Sequence, residues 1–229
     1  MNITIFGTGM VARSVGEALA RHGASVTFGT RDVDATHVRE DGNGVPFGQW
    51  LSALEGARLT TFAEAASVGE ILINATSGSG SIPALESVPA SALDGKILID
   101  IANPLDFSQG FPPSLTVCNT DSLGERIQSA FPGLQVVKTL NTLTAPLMVN
   151  PSALPGDHVI FVSGNAAEAK ATVIALLGSW FGWSERNIID LGDITTARGT
   201  EMILPLWVRL YGALGSPMFN FNIVRGTLS

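Results

Sequence analysis

A chain of 229 residues with 45% hydrophobic and only 14% charged side chains can fill a sizeable core, which excludes an intrinsically disordered protein. Its net charge of −7 argues against nucleic-acid binding, because proteins that bind nucleic acids usually present a basic face. The single cysteine, Cys118, excludes an internal disulfide and a metal site built from thiolates, and the three histidines lack metal-ligand spacing. We therefore expect neither a metal ion nor a nucleic-acid partner.

Apolar runs alternate with helical patterns along the whole chain. The pattern predicts strands at residues 2–6, 24–28, 57–61, 69–75, 96–101, 134–140, 158–163 and 187–191. It predicts helices at residues 10–22, 121–131 and 166–181, and another from about residue 197. Asn165 is expected to cap the helix that starts at residue 166, and Pro205 to kink the last helix. The polar, glycine-rich stretch 32–48 is predicted to be a loop.

The repeated order of strand, helix and strand predicts an α/β fold with a Rossmann-like, doubly wound, mainly parallel sheet. The predicted strands are almost continuously apolar, as expected for strands that are buried on both faces. We treat residues 1–229 as a single domain, because the same pattern continues to the end. Residues 1–150 would be its dinucleotide-binding core, and residues 151–229 a C-terminal extension of strand and helices.

Two features of the termini bear on location. The first predicted strand begins at once, without the basic region and cleavage site of a signal peptide, so we expect a cytoplasmic protein. The apolar stretch 202–224 is interrupted by Pro205, Arg209 and Pro217. Because a membrane-spanning helix needs about 20 uninterrupted apolar residues, this stretch predicts a buried or interface helix and no membrane partner.

The segment GTGMVA at residues 7–12 fits the pattern G-x-G-x-x-G/A between a predicted strand and a predicted helix, the context that dinucleotide-binding turns require. Gly7 permits the tight turn, Gly9 lets a pyrophosphate approach the backbone, and Ala12 lets the helix pack against the sheet. Backbone amides at the helix N-terminus face the phosphates in such turns. Here these amides belong to Thr8, Gly9, Met10 and Val11.

The second predicted strand leads into Gly29, Thr30 and Arg31, where NAD-binding proteins carry an acidic residue for the ribose hydroxyls. A guanidinium and a hydroxyl suit a phosphate on that ribose instead, so the pattern predicts NADP(H). Alternatively, Arg31 pairs with Asp32 on the surface. A methyltransferase, which also uses a glycine-rich loop, would again need an acidic residue here, and Arg31 argues against it.

Small polar residues follow three later strands, in segments 74–81, 102–113 and 141–148. Each segment is also typical of a plain turn. Because ligands of open α/β sheets lie beyond the carboxyl ends of the strands, three such segments favour a pocket at this edge. Asn103, at the start of the second segment, is therefore a candidate cofactor-binding residue.

Few acid–base residues stand out in the sequence. Asp100, Asp106 and Glu201 lie at predicted element ends, where polar side chains commonly cap or pair, and we assign them structural roles. Lys138 is predicted to be a structural lysine whose stem is buried and whose charged end reaches solvent. Lys138 and Asn141 nevertheless remain candidates for an acid–base residue near the nicotinamide. We expect no catalytic side chain, which suits hydride transfer between bound cofactors.

Five segments carry a resemblance to a known family: ITIFGTGMVARSVGEAL, VTFGTRD, DIANPLDF, VVKTLNTL and LGDITTARGTEMILPLWVRL. Together they resemble the coenzyme F420-dependent NADP oxidoreductases, and are similar to the NADPH-binding domains of six-transmembrane ferric reductases. The first two segments are common to many dinucleotide-binding proteins, whereas VVKTLNTL and the last segment are more specific. The resemblance implies a homodimeric reductase that transfers a hydride between NADPH and a deazaflavin or flavin ring.

The resemblance also implies roles for individual residues. Thr30 and Arg31 would bind the ribose phosphate, and residues 8–11 the pyrophosphate. The residues expected near the nicotinamide and the acceptor ring are Ala75 and Thr76 at the nicotinamide ribose, Ala145 at the carboxamide, and Asn141 and Leu143 at the acceptor. Ala12, where deazaflavin reductases often carry glycine, and the small loop NATSGSG depart from the family pattern. A redox-sensing module without catalysis and a reductase of a small organic substrate remain the alternatives.

Overall fold

A computed structural model describes residues 1–226 and shows one eight-stranded sheet and one two-stranded hairpin. The strands are β1 (Asn2–Phe6), β2 (Ser25–Thr30), β3 (Arg58–Thr61), β4 (Ile71–Asn74), β5 (Ile97–Asp100), β6 (Leu105–Asp106), β7 (Ser114–Leu115), β8 (Gln135–Thr139), β9 (Ile160–Ser163) and β10 (Ile188–Gly192). The hairpin pairs β6 with β7, and the sheet has the order β10-β9-β8-β5-β4-β1-β2-β3. All its neighbours are parallel except β8 and β9, which confirms the predicted fold class.

The helices within residues 1–226 are α1 (Met10–Arg21), α2 (Val33–Val38), α3 (Phe47–Ser52), α4 (Phe62–Val68), α5 (Gly78–Glu86), α6 (Leu123–Ala130), α7 (Ala145–Val149), α8 (Ala167–Phe181), α9 (Ala197–Met202) and α10 (Leu204–Leu214). The predicted helices correspond to α1, α6, α8 and the pair α9 and α10. Pro205 lies in the first turn of α10, where no intrahelical partner awaits its missing N–H. Ile203, between α9 and α10, keeps helical backbone angles with φ −66° and ψ −26°, so the helix predicted from about residue 197 is interrupted at Ile203, two residues before the predicted kink at Pro205.

Two hydrophobic cores form, one on each face of the large sheet, because successive residues of a strand point to opposite faces. In β1, Ile3 and Ile5 pack in the core that contains residues of α1 and α8. Phe6 packs on the other face, in the core that contains residues of α4, α5 and α6. All three side chains are fully buried. Burial on both faces explains why the strands are continuous apolar runs.

The strand order reverses at β1, which pairs with β2 on one side and β4 on the other. The chain runs from β1 outwards to β2 and β3, and then crosses back to β4 and β5. Ligands of open parallel sheets bind outside the carboxyl ends of the strands at such a reversal. The fold therefore gathers the segments that follow β1, β2 and β4 around one crevice.

The prediction of a loop at residues 32–48 is wrong, because α2 and the start of α3 lie there. Asp32 caps α2 by accepting a hydrogen bond from the Ala35 backbone N–H at 2.9 Å. Phe47 is fully buried in α3, with its ring centroid 5.6 Å from that of Phe28 on β2. Helices of six residues show little periodicity, so tertiary packing rather than local pattern stabilises them.

The predicted capping role of Asn165 is also wrong. The residue at the N-cap of α8 is Ala166, and no side chain caps this helix. Asn165 Oδ1 instead accepts a hydrogen bond from the Ile194 backbone N–H at 3.0 Å. Its amide thus joins the turn after β9 to the segment after β10, through a contact that no local pattern could indicate.

The segment after α10 folds back onto the sheet. The Val159 N–H, just before β9, donates a hydrogen bond to the Phe221 carbonyl at 2.9 Å, and the Trp207 ring stacks on Phe219 at 5.3 Å. No helix within residues 1–226 is long and apolar enough to cross a membrane. The last three residues of the predicted extension lie outside the described residues.

Candidate functional site

The turn between β1 and α1 has the geometry that its glycines predict. Gly7 has a φ of +109°, and a Cβ on it would lie 2.6 Å from the Ala75 carbonyl oxygen, so only glycine fits. Gly9 is the N-cap of α1 and provides no side-chain cap, which leaves the amides of the first turn open to a ligand. A Cβ on Gly9 would meet no heavy atom within 4 Å, so the space above it is open. An anionic group fits against this backbone.

A cavity of about 920 Å³ opens over this turn. Its walls come from the glycine turn, the end of β2, α2, the segment between α2 and α3, and the start of α5. Its volume lies within the usual range for cofactor sites. Eight of the predicted binding residues line it: Gly7, Thr8, Gly9, Met10, Thr30, Arg31, Ala75 and Thr76.

The other five predicted residues lie outside the lining of this cavity: Val11, Asn103, Asn141, Leu143 and Ala145. Asn103 and Asn141 bond to each other, since Asn103 Nδ2 donates to the Asn141 carbonyl at 2.8 Å and Asn141 Nδ2 donates to Asn103 Oδ1 at 2.9 Å. Leu143 and Ala145 are buried, and Leu143 packs in the core beside α1. Asn103 and Asn141, which follow β5 and β8, and Ala145 in α7 thus lie together beyond the carboxyl ends of these two strands.

Thr30 and Arg31 lie at the end of β2, on the cavity wall. The Thr30 hydroxyl is buried and lies 2.8 Å from the Thr36 hydroxyl on α2. Within residues 1–226, Arg31 forms no ion pair with Asp32, because the Asp32 carboxylate caps α2. The alternative of a surface pair is therefore wrong for this conformation, and the exposed Arg31 guanidinium is free to meet a ligand.

Two further arginines reach this cavity, and the sequence did not single them out. Arg39, at the end of α2, donates from Nη2 to the Thr8 hydroxyl at 2.6 Å and to the Thr8 carbonyl at 3.0 Å. Arg13 on α1 lies 3.2 Å from Asp41, and its guanidinium covers the rings of Phe47 and Trp50. Both arginines hold the segment between α2 and α3 against the glycine turn.

Asp41 stays ionised beside these arginines. Backbone hydrogen bonds from Val45 and Asn43 lower the pKa of Asp41 below its ordinary value, and the Arg13 charge lowers it further. Because Asp41 neutralises Arg13, the cations free to meet an anion in this cavity are those of Arg31 and Arg39. The stretch was predicted to be a loop, and Arg39 lies 31 residues from Thr8, so no local signal marked it.

A buried ion cluster lies at the carboxyl ends of β5 and β8. Lys138 Nζ is 2.9 Å from an oxygen of Asp100 and 2.9 Å from an oxygen of Glu201, and all three side chains are buried. Burial alone would lower the pKa of Lys138, but the two carboxylates raise it above its ordinary value. The prediction that the charged end of Lys138 reaches solvent is wrong. Structural roles for Asp100 and Glu201 agree with this cluster.

Glu201 joins this cluster to the amino end of α6. Its carboxylate accepts hydrogen bonds from the Leu123 N–H at 2.8 Å and the Gly124 N–H at 3.1 Å. Both amides belong to the first turn of α6, which leaves its amides without intrahelical partners. The cluster therefore ties the sheet, α6 and the C-terminal helix α9 together.

Comparisons with known proteins agree with this geometry. The family described as NADP oxidoreductase, coenzyme F420-dependent, matches residues 2–104. The crystal structure of a candidate F420-dependent NADP reductase from Arthrobacter sp. FB24 is 54% identical, with a TM-score of 0.92 over 98% of this chain and 100% of that one. The chain belongs to the F420-dependent NADP oxidoreductase family. It is an NADP-dependent oxidoreductase, and the resemblance drawn from the five segments is confirmed.

More distant relatives share parts of this fold. Metalloreductase STEAP3 of Rattus norvegicus is 29% identical over 236 aligned residues, which include 99% of this chain and 42% of that protein. This member of the family thus spans about two fifths of the length of that curated relative. A reductive aminase from Aspergillus terreus, solved with NADPH and ethyl levulinate, is 18% identical with a TM-score of 0.62 over 93% of this chain and 62% of that one. That likeness concerns the fold alone.

Proposed function

We propose that this NADP-dependent oxidoreductase transfers a hydride between NADP(H) and the deazaflavin ring of coenzyme F420, with a flavin as the second acceptor. One observation carries the choice of cofactor: Arg31 and Arg39 face the same cavity at the end of β2, while the neighbouring Asp32 carboxylate is engaged in capping α2. Family membership supports the deazaflavin acceptor.

The glycine turn and the end of β2 would hold the phosphates of NADP(H). The open amides of residues 8–11 would bind the pyrophosphate, because Gly9 leaves the space above them free. Thr30, Arg31 and Arg39 would bind the ribose phosphate, since a guanidinium offers two parallel donors to phosphate oxygens. Arg39 already donates to the Thr8 hydroxyl, which places its charge beside the glycine turn.

The segments after β4, β5 and β8 would hold the reacting end. The nicotinamide supplies the hydride when the cofactor is bound. Ala75 and Thr76 would contact the nicotinamide ribose, and the Ala145 backbone would bind the carboxamide. Asn103, which is hydrogen-bonded to Asn141, would bind the cofactor beside them. Asn141 and Leu143 would border the acceptor ring. These residues orient two rings and exclude water, and we assign no proton transfer to a side chain.

Exposed apolar side chains on α10 support a homodimer. Leu206 is 53% exposed, Tyr211 40% and Leu214 59%, on a helix that packs on the fold through Leu204 and Val208. A second copy would bury this surface. Light scattering during size-exclusion chromatography tests the dimer: we expect twice the chain mass of 23.9 kDa. A mass of one chain would contradict it.

The experiment for the proposed reaction follows NADPH oxidation by the purified enzyme with coenzyme F420 or FMN as acceptor and with NADH as the control donor. We expect NADPH-dependent reduction of F420, slower reduction of FMN and little reaction with NADH. Binding of NADPH without oxidation by either acceptor would contradict the proposal and favour a redox-sensing module. Oxidation that requires a small organic carbonyl or imine compound would favour the other alternative.

A further inference from the structure

A continuous chain of hydrogen bonds joins the cavity wall to the buried ion cluster. Thr76, which lines the cavity, has its Oγ1 2.7 Å from Asn74 Oδ1. Asn74 Nδ2 lies 2.8 Å from Asp100 Oδ1, and Asp100 Oδ2 lies 2.9 Å from Lys138 Nζ. Asn74, Asp100 and Lys138 are almost completely buried. The mechanism proposed above makes no use of these three side chains.

The two charged groups at the inner end of this chain, Asp100 and Lys138, fix the direction of the hydrogen bonds in it. An ammonium group only donates and a carboxylate only accepts, so Lys138 donates to Asp100 and Asn74 must turn its Nδ2 towards Asp100. Asn74 Oδ1 then faces Thr76, where it accepts from the backbone N–H at 3.3 Å and from the hydroxyl at 2.7 Å. The single proton of the Thr76 hydroxyl is therefore directed inwards.

Ser81 strengthens the same orientation from within α5. Its hydroxyl oxygen accepts a second hydrogen bond from Asn74 Nδ2 at 3.0 Å and lies 3.1 Å from the Ser77 carbonyl, its own acceptor. The Thr76 hydroxyl lies 3.0 Å from Ser81 and 3.1 Å from the Ser77 carbonyl, both longer than its contact with Asn74. Ser81 is completely buried and lies outside the cavity lining.

We propose that Asp100, held by Lys138, is a positioning residue that makes the Thr76 hydroxyl a hydrogen-bond acceptor for a sugar hydroxyl at the cavity wall. With its proton donated inwards, Thr76 Oγ1 presents lone pairs to the cavity. A ligand hydroxyl, such as that of a ribose, would donate its proton to this oxygen. This inference rests on the proposed function, since the ribose concerned is the one next to the nicotinamide of NADP(H).

The substitution Asp100→Asn tests this polarity directly. Because Lys138 only donates, the new amide turns its oxygen to Lys138 and its NH₂ group to Asn74, and it loses the hydrogen bond that Asp100 Oδ1 accepts from the Ala102 N–H at 3.2 Å. Asn74 must then turn over to present its oxygen, which places its own NH₂ group against Thr76 Oγ1. Thr76 then accepts from Asn74 instead of donating to it, and its proton turns to the Ser77 carbonyl at 3.1 Å or to the cavity. The variant thus keeps the size and shape of the side chain and reverses the direction of the hydrogen bond between Thr76 and Asn74.

The experiment compares two ligands by calorimetric titration of the full-length enzyme. NADPH carries the nicotinamide ribose, whereas adenosine 2′,5′-bisphosphate carries only the phosphorylated adenosine end. For Asp100→Asn we expect about tenfold weaker binding of NADPH, the upper part of the range for one hydrogen bond. Binding of the bisphosphate should stay within about twofold of the wild type, because its contacts are remote from Asp100.

Asp190→Asn provides a matched control. Lys170 Nζ lies 2.8 Å from Asp190 Oδ1 in β10, so this pair matches the lysine–aspartate contact of Asp100 in its groups and distance, with an aspartate that is 45% exposed. Neither Lys170 nor Asp190 lines the cavity. The control should leave both affinities unchanged. Equal weakening of both ligands by Asp100→Asn, or no weakening of either, would overturn the inference.

Three further variants keep the test decisive if Asp100→Asn does not fold. Ser81→Ala removes the hydroxyl on α5 that accepts a hydrogen bond from Asn74. It should weaken the binding of NADPH by less than tenfold and leave the binding of the bisphosphate unchanged. Thr76→Ser keeps the hydroxyl and should retain affinity, whereas Thr76→Val should lose it. In the Asp100→Asn background, Thr76→Val should add little, because both changes act on one contact; additive losses would contradict the relay. Wild-type enzyme that fails to bind NADPH would contradict the proposed function itself.

Discussion

The two ends of the proposed dinucleotide site place their charges in opposite surroundings. At the phosphate end, the guanidinium groups of Arg31 and Arg39 are exposed and open to a ligand. At the nicotinamide end, the Lys138 ammonium is 1% exposed and already neutralised by Asp100 and Glu201. An exposed cation can pair with an arriving anion, whereas a buried and paired cation can only hold its neighbours in place. In the proposed site, this difference would separate recognition of the cofactor from its alignment.

The largest effect should follow from closing the phosphate end. Gly9→Val would place a branched side chain in the open space above the glycine turn, where a pyrophosphate would approach. We expect binding of both NADPH and NADH to be abolished in fluorescence titrations, with a small fall in melting temperature because valine is a poorer N-cap than glycine. Gly7→Ala is the contrasting variant: its Cβ would lie 2.6 Å from a backbone oxygen, so it should lower the melting temperature. Normal NADPH binding by a folded Gly9→Val protein would contradict this site.

Removing the buried cation should affect stability more than binding to the phosphate end. Lys138→Met leaves Asp100 and Glu201 buried without their counter-charge, and should cost about 3–5 kcal/mol of the free energy of unfolding. Lys170→Met is the matched control, because its partner Asp190 is 45% exposed and can be solvated. It should cost about 1 kcal/mol or less. Urea denaturation measures both values, and equal losses would show that the two lysines are not in different surroundings.

Arg31→Ala should change the choice of cofactor without changing the fold. Loss of a hydrogen-bonded charge should weaken NADPH binding by about 1.5–3 kcal/mol, while NADH, which has no phosphate on that ribose, should bind almost as before. Titration of both cofactors against the same variant gives this ratio directly. If both affinities fall equally, Arg31 has another role and the assignment of the ribose phosphate is wrong.

Arg39→Ala should have the smallest effect of the four. Arg39 already donates two hydrogen bonds to Thr8, so only part of its donor capacity is available to a phosphate. We expect NADPH binding to weaken by about 1 kcal/mol. As for Arg31→Ala, NADH binding should hardly change. An effect larger than that of Arg31→Ala would make Arg39 the principal phosphate ligand and require the two roles to be exchanged.

The phosphate end could largely be predicted from the sequence, because its signals are local. The glycine turn, the helix after it, and Thr30 with Arg31 lie within one strand–helix–strand unit of the first 31 residues. Arg39 could not be predicted in this way, because α2 is short and the contact of Arg39 with Thr8 joins residues that are 31 positions apart. The sequence equally allows Asp32 to pair with Arg31 or to cap α2, and only the structure shows that it caps α2.

The nicotinamide end could not be predicted in the same way. Lys138 and Asp100 are 38 residues apart, and only the pairing of β5 with β8 brings them together. An isolated lysine at a strand end is usually partly solvated, so the pattern favoured an exposed ammonium. The third partner, Glu201, comes from α9, beyond the next two strands. Long-range pairs of this kind need the sheet order, which sequence periodicity does not contain.

The most direct test of the account follows one hydrogen atom. NADPH deuterated on the transferred position of the nicotinamide is mixed with the enzyme and coenzyme F420 in ordinary water, and the reduced deazaflavin is examined by mass spectrometry and NMR. Direct hydride transfer between two aligned rings predicts that the deuterium is found on a ring carbon of the reduced deazaflavin. Deuterium released into the water, with ordinary hydrogen on that carbon, would show an intermediate proton exchange and contradict transfer without a catalytic side chain.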